Sequence, residues 1–546
     1  MLFLTTLLIS IILTVVLMPY ARTLAMKLQA VDAPGRRKVH DSLMPRCGGM
    51  AMAVGAMTPI LLWAPMIPFT KGLLLGTLII VLFGVADDIK DLTPNTKMSG
   101  QVGAALVAVL VGGVKISDLG SFLPADMILS DWAAIPLTVF VIVGCTNATN
   151  LSDGLDGLAG GIALLIFLGI GYLSAGEKNW LFVMVSIAVG GSVLGFLRYN
   201  THPAQLFMGD AGSQFLGFVA ILLSITLTQQ NENLSPLMPL IILGMPILDT
   251  LTVMIKRLVS GHSPFVADKT HFHHRLIAMG LFHTEAVLTI YVVQATLIVF
   301  VVVFPGLNDW MLLASYLFFA CAMFGSFNLI SHTGYKVNRN TFLTPLKARL
   351  KPFKDRGQVI RVSFGIVKLG VPLLILFNAL FPTPDTEYRF YFSAIALGFL
   401  FLVWILSKYA LGRALKFCLY LLTPFLIYRC DQSIYLHMAP VLIMLYNLTY
   451  LILLVSVLLT MKLTRRTHGF KSSPLDFLII FVILLIPNLP DTMFADYRLG
   501  LVAAKTVILF YSYEVLIGEL RKKTFVLPLS AAGILLSIKV LVLYAR

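Results

Sequence analysis

Apolar segments long enough to cross a bilayer follow one another along almost the whole chain, and no other feature constrains its fold as much. An α-helix rises about 1.5 Å per residue, so about 20 apolar residues cover a hydrocarbon core of about 30 Å. By that ruler, candidate spans lie near 2–19, 48–68, 71–86, 100–114, 132–146, 158–174, 180–197, 212–228, 236–255, 284–304 and 310–330. After a polar stretch at 331–360, others follow near 362–381, 389–407, 414–428, 435–460, 476–489, 499–517 and 525–544. The fold expected is an all-α polytopic membrane protein, with about 11 helices in a first block and about 7 in a C-terminal extension. Composition agrees: of the 546 residues 58% are hydrophobic and 12% charged, with a mean hydropathy of +0.89. Soluble domains carry about 25% charged residues. A water-soluble enzyme of ordinary build and a disordered or nucleic-acid-binding protein are therefore excluded, despite the formal charge of +15. The five cysteines are scattered, with no CxxC, and mark neither a disulfide framework nor a zinc site. Leu2 to Leu17 has no basic start and no small-residue cleavage site, so it reads as a retained span and not a signal peptide. No internal repeat is visible of the kind that inverted-repeat transporters carry.

The basic excess sorts by side. With the N-terminus outside, only Lys71, Lys115, Lys178, Arg389, Arg429, Arg498 and Arg546 fall in outer loops, and Lys368, Lys505 and Lys539 fall within spans. The rest of the 41 lie inside, as the positive-inside rule requires, and the C-terminus falls outside. Nine of the ten histidines are also inner, His437 being the exception.

The same inner loops hold the polar clusters. Asp87 and Asp88 sit at a span end, where two adjacent carboxylates either hold a cation or share a proton; a solvated helix end carries such a pair too. Asp153 and Asp156, bracketed by Gly154 and Gly157, suit a tight turn whose backbone approaches a ligand, or a turn alone. Asp210, between Gly209 and Gly212, stands just before a span as a candidate ligand for a hard cation. Oxygen-only clusters favour Mg²⁺ over zinc, and Mg²⁺ usually enters with phosphate. His271, His273, His274 and Arg275 have poor spacing for zinc and suit donors to a pyrophosphate, or form a solvated basic loop. Lys97, nine residues after Asp88, is placed either for a lipid phosphate or simply as a positive-inside lysine. Acids for a metal and bases for anions at membrane level describe a phosphoryl-transfer site with a lipid substrate. The rival class is a transporter or lipid flippase; it would place its charges near the midplane on broken helices, whereas these crowd at inner ends.

Several motifs in order make the stretch 1–335 similar to a known family. They are Asp32-Ala-Pro-Gly-Arg-Arg-Lys-Val-His40, Pro45-Arg-Cys-Gly-Gly49, Asp87-Asp88, Asn147 to Gly161, Gly209-Asp210 and His271 to Leu276. Together they resemble the polyprenyl-phosphate N-acetylhexosamine-1-phosphate transferases, the superfamily containing MraY, WecA and TagO. The His-x-His-His pattern at 271–274 looks like the WecA/TagO branch and less like a phospho-MurNAc-pentapeptide transferase of the MraY kind. The resemblance implies a Mg²⁺-dependent enzyme, with Mn²⁺ as a possible substitute, acting on a UDP-N-acetylhexosamine and a polyprenyl phosphate. It implies Asp87 as base or orienting acid with Asp88 beside it, and Lys97 on the lipid phosphate. It further implies Asn150 and Asp210 on the metal, with Asp153, Asp156, His271, His273, His274 and Arg275 on the nucleotide sugar. A bacterial inner-membrane location, a cytoplasmic active site and a homodimer fit the same family. The expected organisation is a transferase domain at 1–335, a basic linker at 336–360 and a multi-span domain without a recognisable motif at 361–546.

Overall fold

The computed structural model describes residues 2–32, 43–124, 127–261, 271–332, 358–380, 423–424, 426–428, 430–463 and 499–519. Outside them lie the expected spans near 389–407, 476–489 and 525–544, most of 414–428 and of the linker, and the motif residues 33–40 and 268–270. Among the described residues, ten helices are long and apolar enough to cross a membrane. The fold is all-α and polytopic, as expected. The described residues belong to two compact units, one within Met1–Val337 and one within Asn338–Ser472 and Ile479–Arg546.

The first unit contains α1 (Leu2–Lys27), α2 (Gly48–Trp63), α3 (Pro68–Lys90), α4 (Pro94–Leu110), α5 (Asp131–Leu151), α6 (Leu158–Gly176) and α7 (Trp180–Asn200). It continues with α8 (Asp210–Gln229), the short α9 (Met238–Ile242), α10 (Gly244–Val259), the short α11 (Phe272–Ala278), α12 (His283–Val303) and α13 (Asp309–His332). The core is built around α8, whose residues are buried without interruption from Ala211 to Thr228. A helix apolar around its whole circumference must be covered on every side, and α2, α3, α5 and α6 pack on it. At two points the covering is backbone on backbone. A Cβ on Gly49 would overlap Gly212, and one on Gly84 would overlap Ala211, so α2 and α3 come closest at the first turn of α8.

The stretch 236–255, expected as one span, is broken. Its two helices, α9 and α10, meet at Leu243. Pro246 has no N–H to give the Ile242 carbonyl one turn back; the buried Gln294 side chain of α12 donates to it instead, at 2.9 Å. Gln294 also accepts the Met245 N–H at 3.2 Å, and the Tyr316 hydroxyl donates to the Gly244 carbonyl at 3.0 Å. Side chains from other helices thus supply the backbone partners that the break removes.

The second unit holds helices Gln358–Leu380, Pro440–Leu463 and Leu499–Glu519 around an apolar cluster that includes Val371, Tyr450, Leu453 and Leu509. Inside it Lys505 Nζ lies 2.6 Å from Asp431 Oδ1, both residues almost fully buried. The ammonium is 4.2 Å from the Tyr446 ring centroid and 5.3 Å from that of Tyr450. Tyr446 and Tyr450 in turn bond to Asn378, at 2.7 and 2.8 Å.

Candidate active site

The first turn of α8 organises the site. Gly209, with φ +74°, turns the chain into the helix in a conformation that L side chains rarely adopt, and a Cβ there would collide with the Asp88 carboxylate. That carboxylate accepts the N–H groups of Asp210 (3.0 Å) and Ala211 (3.3 Å), two of the donors a helix start leaves open. Asp88, expected beside the chemistry, therefore also acts as a cap that joins α3 to α8.

The chain leading into α8 is held by a second motif. The two-residue strands β1 (Val31–Asp32) and β2 (Met44–Pro45) pair antiparallel, and the segment after β2 runs onto Phe207. The N–H groups of Cys47 and Gly48 donate to the Phe207 carbonyl and that of Gly49 to the Met208 carbonyl, while the Phe207 N–H donates to Pro45. The open donors at the start of α2 are thereby satisfied by the strand-like lead-in to Asp210. Arg46 bonds Asp32 at 2.6 Å and approaches Asp91 at 3.6 Å. The Pro45–Gly49 motif is thus scaffolding for Asp210.

Lys97, at the start of α4, places its Nζ 2.5 Å from Asp87 Oδ2 and 3.3 Å from Asp210 Oδ2. Asp87 is anchored through its other oxygen, which accepts the Leu92 N–H at 2.7 Å. Asn150, on the last turn of α5, reaches Asp210 Oδ2 at 3.5 Å and accepts the Ser213 hydroxyl at 2.6 Å. Beneath them an amide network missed by the sequence reading links Gln101 to Asn147 and to Gln214, whose side chain reaches Asp210 at 3.5 Å. Three amides inside otherwise apolar helices were the available signal. Asp87, Lys97, Asn150 and Asp210 are thus brought into one cluster.

Asp153 stands in the turn after α5. Burial, then Asp210 and Asp156, push its carboxyl up to about 7. Asp156 faces elsewhere: its Oδ2 takes His202 Nδ1 at 2.7 Å and the Ala204 N–H at 3.1 Å, while its own N–H donates to His283 Nε2 at 3.1 Å. The His202 and His283 rings stack at 4.1 Å and 20°, so the two imidazole planes are nearly parallel. This trio, whose ligand atoms lie within 4.8 Å of one another, is tied by these hydrogen bonds into a clamp on the 152–157 turn. The turn is further held by Asn200, which accepts the Gly157 N–H at 2.8 Å, and by the Tyr291 hydroxyl, which donates to the Gly157 carbonyl at 2.5 Å.

The histidine loop enters through α11. Asp249 of α10, a carboxylate not singled out in the sequence, accepts the Phe272 N–H at 2.7 Å and faces His271 Nδ1 at 3.0 Å. A lone acid in an apolar segment was the signal for it. The His273 ring lies on Gly154, where a Cβ would collide with the imidazole, so the histidine and Asp153–Asp156 motifs are in contact. Burial, then His274, lowers His273 to about 4; it is a neutral donor or acceptor at physiological pH and not a cation. The His274 ring lies 4.2 Å from it, tilted by 45°, and His274 and Arg275 are half-buried on the same short helix. Asp210 Oδ2 is met by three nitrogen donors, Lys97 Nζ, Asn150 Nδ2 and Gln214 Nε2. The oxygens that a hard cation such as Mg²⁺ would take here are the carboxylates of Asp210 and Asp87, both in contact with Lys97.

Residues 70–228 match the family model described as Glycosyl transferase family 4. The chain is 37% identical to a probable undecaprenyl-phosphate N-acetylglucosaminyl 1-phosphate transferase of Bacillus subtilis (strain 168), over 56% of this chain and 85% of that protein. It is 35% identical to the decaprenyl-phosphate N-acetylglucosaminephosphotransferase of Mycolicibacterium smegmatis, over 50% of this chain and 74% of the relative. With the undecaprenyl-phosphate alpha-N-acetylglucosaminyl 1-phosphate transferase of Escherichia coli (strain K12) it shares 31% identity, over 53% and 81% respectively.

Proposed function

The chain belongs to glycosyl transferase family 4, in its WecA-like branch, and from that premise we propose that it transfers N-acetylglucosamine-1-phosphate from UDP-N-acetylglucosamine to a polyprenyl phosphate such as undecaprenyl phosphate. An oxygen of the lipid phosphate attacks the β-phosphorus of the nucleotide sugar. The bond from that phosphorus to the oxygen bridging to the α-phosphate breaks, leaving lipid-pyrophosphoryl N-acetylglucosamine and UMP. The observation that carries this reading is the position of Lys97 between Asp87 and Asp210, acids of two separate motifs gathered with it at one helix start.

The residues divide the work. A phosphate monoester is already largely ionised near neutral pH, its second pKa being about 6. Asp87 accordingly orients the acceptor through Lys97 more than it removes a proton. Asp210 and Asn150 would hold Mg²⁺, or Mn²⁺ in its place, and the ion when bound supplies neutralising charge to the pyrophosphate. Asp153, His273, His274 and Arg275 receive the nucleotide sugar, His271 is oriented by Asp249, and Asp156 keeps the turn in shape. The site faces the cytoplasm of a bacterial inner membrane, and the working assembly is a homodimer. Purified protein given Mg²⁺, UDP-N-acetylglucosamine and undecaprenyl phosphate releases UMP under this proposal; release of UDP, or of nothing, overturns it. Offering other UDP-N-acetylhexosamines to the same preparation ranks the sugar.

A further inference from the structure

The last three turns of α1 form, with the end of α7 and the loop after it, a groove of about 620 Å³ that the transfer reaction does not use. Its size falls in the range of ligand pockets, about 300–1,000 Å³. Met18, Arg22 and Met26 make one row of its wall along α1, each four residues from the next, and Pro19, Thr23 and Lys27 make the adjacent row. Tyr199, Gln205 and Leu206 close the other side. Pro19 leaves the Val15 carbonyl without its helical donor, and the Tyr199 hydroxyl reaches that carbonyl at 3.4 Å, which ties the two walls together.

Three observations say what the groove holds. First, its two charged residues are both cations and no carboxylate lines it. Among the described residues neither Arg22 nor Lys27 makes an ion pair. Second, α1 has 26 residues, about 39 Å at helical rise, against a hydrocarbon core of about 30 Å. Its final turns therefore extend to the headgroup layer. Third, Val16, Tyr20 and Leu24 beside the groove are exposed apolar side chains, a surface for acyl chains. Cationic heads over apolar walls at headgroup depth complement an anionic lipid.

We infer that this groove binds the phosphodiester headgroup of an anionic membrane phospholipid, with Arg22 and Lys27 on the phosphate and Met18, Met26 and Leu206 against the glycerol and upper chains. The inference stands apart from the transfer reaction, whose acceptor phosphate belongs at Lys97. Leu206 nevertheless immediately precedes Phe207 and Met208, which carry the chain into Asp210, so the lipid would brace the loop that feeds the site.

The test uses the full chain in nanodiscs of phosphatidylcholine doped with phosphatidylglycerol and with undecaprenyl phosphate, re-extracted in mild detergent and read by native mass spectrometry. Wild type is expected to retain phosphatidylglycerol in preference to phosphatidylcholine. Arg22→Gln/Lys27→Gln is expected to lose that retention by about an order of magnitude, while Arg22→Lys/Lys27→Arg keeps it. Met26→Trp, which fills the apolar wall and leaves both charges, should also lower it and decides the matter if the double variant does not fold. Equal retention by wild type and both neutralising and filling variants overturns the inference. So does preferential retention of undecaprenyl phosphate at the groove, or no discrimination between the two phospholipids.

Discussion

Asp153 and Asp210 are both inner-loop aspartates in the sequence, yet their surroundings give them different work. Asp210 is met by the Lys97 ammonium and by the side-chain amide nitrogens of Asn150 and Gln214, which hold its carboxylate in place at the start of α8. Asp210→Ala and Asp87→Asn are each expected to lower kcat by about a hundredfold or more, since charge-neutralising groups at transferring phosphates contribute on that scale; wild-type turnover in either would refute its role. Asp153, pushed up to about 7 by burial and its acidic neighbours, is neutral below that pH and ionised above it. Ionised, it repels a pyrophosphate. The KM for UDP-N-acetylglucosamine should therefore rise as pH rises through about 7, and Asp153→Asn should flatten that rise. Linkage gives the same sign for stability: the folded state keeps a proton that the unfolded chain releases near pH 4. The cost grows as pH rises from about 4 to about 7, so Asp153→Asn should melt higher than wild type above pH 7 and alike below pH 4. Parallel pH–KM profiles for the two proteins would contradict this.

At the scale of elements, the break between α9 and α10 is where local pattern and tertiary need diverge. An apolar run at 236–255, interrupted by the single acid Asp249, reads as one helix, because hydropathy does not record that Pro246 removes a backbone donor. Gln294 restores it from another helix. Gln294→Leu leaves the Ile242 carbonyl and the Met245 N–H buried and unpaired, at a cost of about 1–3 kcal/mol for each group. A clear drop in Tm in detergent is expected; an unchanged Tm would show that the break satisfies itself. The start of α8 behaves likewise. Asp88→Ala removes a cap, on the order of 1 kcal/mol, and is expected to lower both Tm and turnover, because the residue it steadies is Asp210. Loss of turnover with no change in Tm would instead put Asp88 in the chemistry alone.

At the scale of the molecule, the transferase unit and the second unit treat buried charge differently. In the first, Asp87, Asp88 and Asp210 gather at helix ends. In the second, Lys505 and Asp431 are sealed among tyrosines. Removing one partner of a buried pair costs about 3–5 kcal/mol, whereas replacing both by apolar side chains is often neutral. Lys505→Met and Asp431→Leu should each destabilise the protein strongly, and the double variant should recover most of the loss while keeping UMP release. A double variant as unstable as the singles, or one that is stable but inactive, would give the pair a task beyond holding helices together.

The sequence by itself determined the solvent, the succession of helices, the gathering of polar residues into a few motifs, and the family those motifs resemble. These rest on composition, length and order, which need no neighbours in space. Only the tertiary structure decided the division of labour within the motifs. Asp88 caps while Asp87 pairs with Lys97, the Pro45–Gly49 segment is scaffolding, and Asp156 clamps a turn through His202 and His283. It alone brought in Asp249, Gln101 and Gln214, single polar residues in apolar helices that belong to no motif. The physical reason is that a buried polar group takes its role from whichever partner completes its hydrogen bonds, and those partners lie on helices far away in the chain.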